Sequence, residues 1–266
     1  MTSKARALFL RGALALTAIA LAGFFAYEIS ERPSDQIFGR TLVSGPRDQR
    51  VVALTYDDGP NPPYTNAILS ILESEHVHAT FFVVGRAVAA YPGVVRREAR
   101  DGDALGNHTW NHAHLIVMDP GQVRTTLART SAAIFAATGI HVHLMRPPYG
   151  ARDWAVLSEA RRLGYVPVMW SVPLAKDWEY PPARVIAARI LSHVSDGSII
   201  VLHDGNRGIV CAGSKLPPRT CDRRADIDAT RLIVDALKRR GFRFVTIPQL
   251  LALRHVAMRT GAHAAE

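Results

Sequence analysis

From Val51 onward the chain repeats one pattern, a short apolar segment followed by a stretch whose apolar residues have helical spacing. VVALT precedes a helix-like run from Tyr64 to Glu75, ATFFVVG (Ala79 to Gly85) precedes one ending near Arg100, and DALGNHT precedes Gln122 to Ala137. HVHLM leads through RPPYG to Trp154–Leu163, VPVMWSV leads to Arg184–His193, SIIVLHD leads to Thr230–Arg240, and FRFVTI closes the series. Strands this short and apolar, alternating with amphipathic helices, predict an α/β fold with a mostly parallel sheet under covering helices. About seven such units in one chain favour a barrel of about seven strands over an open sheet.

The first residues stand apart from this series. Lys4, Arg6 and Arg11 surround and precede Gly12–Tyr27, sixteen residues without a charge, which predicts an N-terminal hydrophobic helix. Residues 1–28 read as a signal peptide or signal-anchor. Ala20-Leu21-Ala22 fits a small-residue cleavage pattern, but Phe24 and Phe25 continue the apolar run beyond it, which favours an uncleaved anchor. The positive-inside rule then puts the rest of the chain outside the cytoplasm, membrane-anchored or secreted. Residues 29–49 read as a polar linker, 50–255 as the folded domain and 256–266 as a tail. The formal charge of +9 suits an anionic envelope or polysaccharide, and nucleic acid is no expected partner there. Cys211 and Cys221, ten residues apart in a loop rich in Gly, Pro and Arg, are expected to form a disulfide in that compartment.

The strand-like VVALTY runs into two adjacent carboxylates, Asp57 and Asp58, and then a Gly-Pro turn. Neighbouring anions at the end of a core strand need a counter-charge, strong hydrogen bonds or a metal. Asp57, Asp58, Arg146, Trp170 and His203 all fall at the C-terminal ends of predicted strands, where parallel α/β folds collect binding and catalytic groups. His108 and His112 in NHTWNH are four residues apart, a spacing that on a helix puts both imidazoles on one face. Two imidazoles and a carboxylate form a ligand set for a divalent metal with open positions, and a second carboxylate beside it can act as a base.

These residues resemble the motifs of the polysaccharide deacetylases (carbohydrate esterase family 4, NodB-like). TYDDGP is similar to the family's first motif, with Tyr56 in place of the usual Phe; HTWNH matches H-[ST]-x-x-H; RPPY matches R-x-P-Y; and IIVLHD is similar to the L-x-H motif, with Val201 where Leu is usual. The resemblance spans roughly residues 50 to 250 and implies a distorted (β/α) barrel of fewer than eight regular units. It implies a metal-dependent hydrolase that removes N-acetyl groups from an N-acetylglucosamine-containing polysaccharide: peptidoglycan, a chitin-like chain or poly-N-acetylglucosamine. The cofactor it implies is zinc, with cobalt, manganese or nickel as alternatives, held by Asp58, His108 and His112. Asp57 would be the general base, Arg146 its orienting partner, Tyr149 a backbone donor to the oxyanion and His203 the general acid. Trp178 and Trp110 are either substrate-binding walls of the acetyl pocket or plain core residues.

One segment departs from the family pattern. In WSVPLAKDW, Pro173 stands where W-x-V-D-x-x-D-W has its first Asp, the carboxylate expected to hold His203. Asp177 is placed to substitute for it, whereas Asp204 is expected to point away. The departure keeps two other readings open, a glycan-binding pseudoenzyme of the cell envelope and an O-acetyl esterase.

Overall fold

Strand β1 (Val51–Asp57) is buried along its whole length, as a strand covered on both faces must be. The computed structural model describes residues 30–254 apart from 174, 213 and 214, together with residues 16, 17, 23 and 28. Around β1 lie β2 (Thr80–Val83), β3 (Ala104–Asn107), β4 (Leu144–Met145), β5 (Val166–Pro167), β6 (Ser198–His203) and β7 (Arg243–Phe244). Every pairing is parallel, in the order β5-β4-β3-β2-β1-β6. β7 pairs with Val51 and Val52, whereas β2 pairs with Thr55 to Asp57, so these two strands share one edge of β1 and β6 occupies the other. The helices are α1 (Tyr64–Ser74), α2 (Gly85–Ala90), α3 (Pro92–Arg100), α4 (Pro120–Thr138), α5 (Trp154–Arg162), α6 (Ala183–Leu191) and α7 (Arg224–Arg239).

The period-2 alternation of the strands divides the core in two. Val52, Leu54 and Tyr56, with Ile200 and Leu202, face outward and pack against helices through Ile68, Leu69, Ile233 and Leu237. Val51 and Ala53, with Phe82, Val168, Met169, Trp170, Ile199 and Val201, fill the inside of the curled sheet. The expected distorted barrel is therefore present. Its β4 and β5 are shorter than HVHLM and VPVMWSV suggest, because only two residues of each are laddered.

The gap between β5 and β6 is closed by a segment expected to be a linker. Leu42 donates to Pro167 O (2.8 Å) and accepts from the Met169 N–H (2.7 Å), and Gly45 donates to Gly197 O (2.8 Å). Ser171 adds a bond to Ile199 O at 3.1 Å. Leu42, 3% exposed, plugs the inner core, and the neighbouring Val43 packs against the same cluster. The helix expected from Gln122 starts at Pro120 instead, where Asp119 and Gln122 form a reciprocal capping box. Most of the expected N-terminal hydrophobic helix, and the tail, lie outside the described residues. Among the described residues, no helix is long and apolar enough to cross a membrane.

Candidate active site

Asp57 ends β1 on the inward face and pairs in register with His203, the last residue of β6. The next residue of a strand would point outward, yet Asp58 also faces the site. Its left-handed backbone (φ 80°) turns the chain back at that point, a conformation that Asp adopts more readily than bulkier residues. Asp58 Oδ2 accepts the Arg207 N–H at 2.7 Å. Its backbone leaves no room beside Gly205, where an added Cβ would collide with the Asp58 carbonyl.

His108 follows β3 directly, but the helix expected over His108–His112 is not formed. The segment is a turn with left-handed residues at Thr109 (φ 68°) and His112 (φ 57°), held by Asn107 Oδ1 accepting the Thr109 N–H at 2.9 Å. This turn, not a helical period, brings the two imidazoles together. Their ring centroids are 5.0 Å apart. Asp58 Oδ1 lies 3.2 Å from His112 Nε2 and 3.6 Å from His108 Nε2. All three candidate ligand atoms fall within 4.8 Å of one another, in a buried position.

Three features fit this triad to a divalent cation. Asp58 Oδ1 is buried with no hydrogen-bond partner among the described residues, a costly state for a carboxylate oxygen without a cation. His108 Nδ1 sits 2.8 Å from the Arg146 carbonyl, to which it donates, so its Nε2 lone pair is left facing Asp58. Burial also pushes His112 down to about 4, against the pull of Asp58, so its imidazole is neutral at neutral pH and free to ligate. Burial opposes ionisation of Asp58, but His112, His203, His108 and the Arg207 N–H together hold it below the usual carboxylate range.

Asp57 stands beside the triad. Its Oδ1 accepts from Arg146 Nη1 at 2.7 Å, and its Oδ2 is 3.9 Å from His108 Nε2. Arg146 is fully buried, and its remaining donors reach Thr55 Oγ1 (2.8 Å), Met169 O (3.1 Å) and Val168 O (3.3 Å). Its guanidinium lies 4.2 Å from the Phe82 ring centroid. A cation this deep is tolerated because every side of it meets an anion, a carbonyl or a π face.

Pro173 leaves His203 with its carboxylate. Asp177, in the tight turn Asp177–Glu179, receives both the His203 backbone N–H (2.8 Å) and Nδ1 (2.9 Å) through Oδ2. Burial pulls the His203 pKa down, but Asp177 overrides it, helped by Asp58 and Asp57, and raises it to about 9. Asp204 turns away to Thr65 in α1, as expected. A residue that sequence reasoning missed lies behind this pair: Asp226 of α7, 1% exposed, is hydrogen-bonded to Asp177. No local signal marks it, because it is one acid in an amphipathic helix.

Around these groups opens a cleft of about 580 Å³, and Trp170, Tyr149, Trp178 and His203 all line it. Tyr149 has a left-handed backbone (φ 61°) and its ring meets the His112 edge at 4.6 Å, while Trp178 meets His203 at 5.4 Å. Trp110 does not reach the cleft. It packs against Gly85 with Arg129 stacked 3.6 Å from its ring, because the turn after His108 sends its side chain toward α2 and α4. Cys211 and Cys221 are joined by a disulfide; Thr220 inside the loop it closes and Ile209 just before it line one wall of the cleft.

A family model described as polysaccharide deacetylase matches residues 44–168. The chain is 35% identical over 199 residues to the peptidoglycan-N-acetylglucosamine deacetylase PgdA of Listeria monocytogenes, covering 75% of this chain and 38% of that protein's length. It is 36% identical over 217 residues to a chitooligosaccharide deacetylase of Bradyrhizobium, covering 78% of this chain and 92% of the relative. Among solved structures, the Bc1960 peptidoglycan N-acetylglucosamine deacetylase superposes with a TM-score of 0.70 at 31% identity, covering 79% of this chain and 92% of that one.

Proposed function

The chain belongs to the polysaccharide deacetylase family, and from that premise we propose that it is a metal-dependent hydrolase removing N-acetyl groups from an N-acetylglucosamine-containing polysaccharide outside the cytoplasm. The observation that carries this reading is Asp57, clamped on one oxygen by Arg146 at 2.7 Å and standing next to the ligand triad without belonging to it. A protein that only binds glycan needs no free carboxylate at that point.

Asp58, His108 and His112 would hold the cation, with zinc the first candidate for this donor set. When bound, such a cation supplies Lewis acidity at the acetamide carbonyl and acidifies water. Asp57 takes the proton from the attacking water through Oδ2, the oxygen Arg146 leaves open. The water oxygen bonds to the carbonyl carbon, and the Tyr149 backbone N–H stabilises the resulting oxyanion. His203, protonated at neutral pH because of Asp177, gives its Nε2 proton to the departing nitrogen as the C–N bond breaks. The products are acetate and a glucosamine unit of the chain. Trp178 lines the cleft beside His203 and would contact the sugar or its acetyl group. Residues 1–28 would act as signal-anchor or signal peptide, delivering the domain to the envelope.

The test is acetate release by the zinc-loaded chain from three substrates: N-acetylglucosamine oligomers, peptidoglycan and acetylated xylan. Release from the amide substrates is expected. Release from ester-linked acetyl groups alone would replace this reading with an O-acetyl esterase, and release from none of them with a glycan-binding protein.

A further inference from the structure

The cleft has a wall that the family motifs do not account for. Residues 30–35, which precede the matched region at 44–168, are fastened to its rim by one buried side chain, Arg152. The Arg152 N–H donates to Ser30 O at 3.1 Å, and its Nη1 reaches Ser30 O at 3.2 Å and Gly150 O at 3.0 Å. Its Nη2 reaches Arg32 O at 2.7 Å and Asp35 O at 2.6 Å. A guanidinium that spends its donors on carbonyls of one short segment fixes the path of that segment.

That path delivers Glu31 to the cleft. Its Oε1 lies 3.3 Å from His114 Nε2. The His114 ring stacks on Tyr149 at 5.0 Å, and Tyr149 in turn meets the candidate ligand His112. A carboxylate, an imidazole and a phenol thus form a continuous, partly exposed surface running outward from the triad, with side-chain exposures of 31% for Glu31 and 27% for His114. A few polar groups beside aromatic rings are what orient a ligand in a cleft.

We propose that Glu31, with the His114–Tyr149 pair, forms a subsite for the sugar next to the one being deacetylated. The subsite recognises a hydrogen-bond donor carried by that pyranose ring, a hydroxyl or an ammonium. The inference rests on the deacetylase reading for what occupies the cleft. It makes Glu31 a specificity residue with no part in the chemical step. It also makes chain length matter: a substrate too short to reach Glu31 gains nothing from it.

The experiment is titration calorimetry on the full zinc-loaded chain carrying Asp57→Asn, with the N-acetylglucosamine monosaccharide and its tetramer as probes. Adding Glu31→Gln should weaken tetramer binding about tenfold, the loss of one charge-assisted hydrogen bond, and change monosaccharide binding less than about twofold. A larger loss with a partly deacetylated tetramer identifies the donor as ammonium, and an equal loss identifies a hydroxyl. Equal weakening of monosaccharide and tetramer, or no weakening of the tetramer, overturns the subsite while leaving the deacetylase reading standing. If the tetramer does not bind before Glu31 is changed, no N-acetylglucosamine chain occupies the cleft, and the subsite falls with that reading of its occupant.

Discussion

Half of the site is carried by strands and half by turns, and the two halves are held in place by different physics. Asp57 and His203 end adjacent strands in register, so the sheet ladder itself sets their separation. Arg146 follows β4 directly and is locked by four hydrogen bonds to Asp57, Thr55, Val168 and Met169. Asp58, His112 and Tyr149 instead sit at left-handed non-glycine positions, which cost on the order of 1–3 kcal/mol each where the surroundings do not enforce them. The proton-handling groups are therefore held by the sheet and by Arg146, whereas the turn-borne half rests on left-handed backbone that a bound cation would help to hold.

Replacing a turn-borne ligand should break this division most severely. His112→Ala is expected to lose stoichiometric zinc and, with it, measurable acetate release, while the fold survives because the ladder does not depend on residue 112. Atomic absorption together with circular dichroism checks this; retained zinc would remove His112 from the ligand set.

Against the strand-borne His203, Asp177→Asn should lower turnover about 10- to 100-fold and change its pH dependence. Asp177 is the main group raising His203 to about 9 against burial, so without it the proton is lost at lower pH. His203 acts in its protonated form, so the alkaline limb of kcat/KM should move down toward or below the ordinary 6.5. A limb that stays in place would show that another group is the acid.

Zinc removal offers a milder comparison. Amides of 108–112 should exchange faster in the chelated protein, while those of β1 and β6 change little. Uniform acceleration would mean that the two halves are not separately held. Smallest of all, Asp119→Ala removes the capping box of α4, outside the cleft, and should cost about 1 kcal/mol in denaturant unfolding with turnover unchanged.

The same division explains what could be read from the sequence. The alternation of apolar runs and helices was enough for the parallel barrel, and strand-end placement was enough to bring Asp57, Arg146 and His203 together, because both follow from period-2 geometry. The turn-borne half was legible as residue types but not as shape: the spacing of His108 and His112 suggested a helix, and a left-handed turn achieves the same approach. Trp110 was mistaken for a possible wall residue because that turn reverses its direction. Pro173 removes the usual partner of His203, and Asp177, the substitute the sequence offered, does reach it, from a turn whose flanking residues, Lys176 and Tyr180, are themselves left-handed. Leu42, Asp226 and Glu31 were invisible as functional or closing residues, since each acts through long-range contacts that no local pattern encodes.

The central claim is that the adjacent carboxylates divide the work, Asp58 holding the cation and Asp57 taking the proton. Measuring zinc content and acetate release on Asp57→Asn and Asp58→Asn in parallel tests it most directly. Asp57→Asn should keep one zinc per chain and lose about 100-fold or more in turnover, and Asp58→Asn should lose both. Zinc lost from Asp57→Asn, or turnover retained in it, would contradict that division.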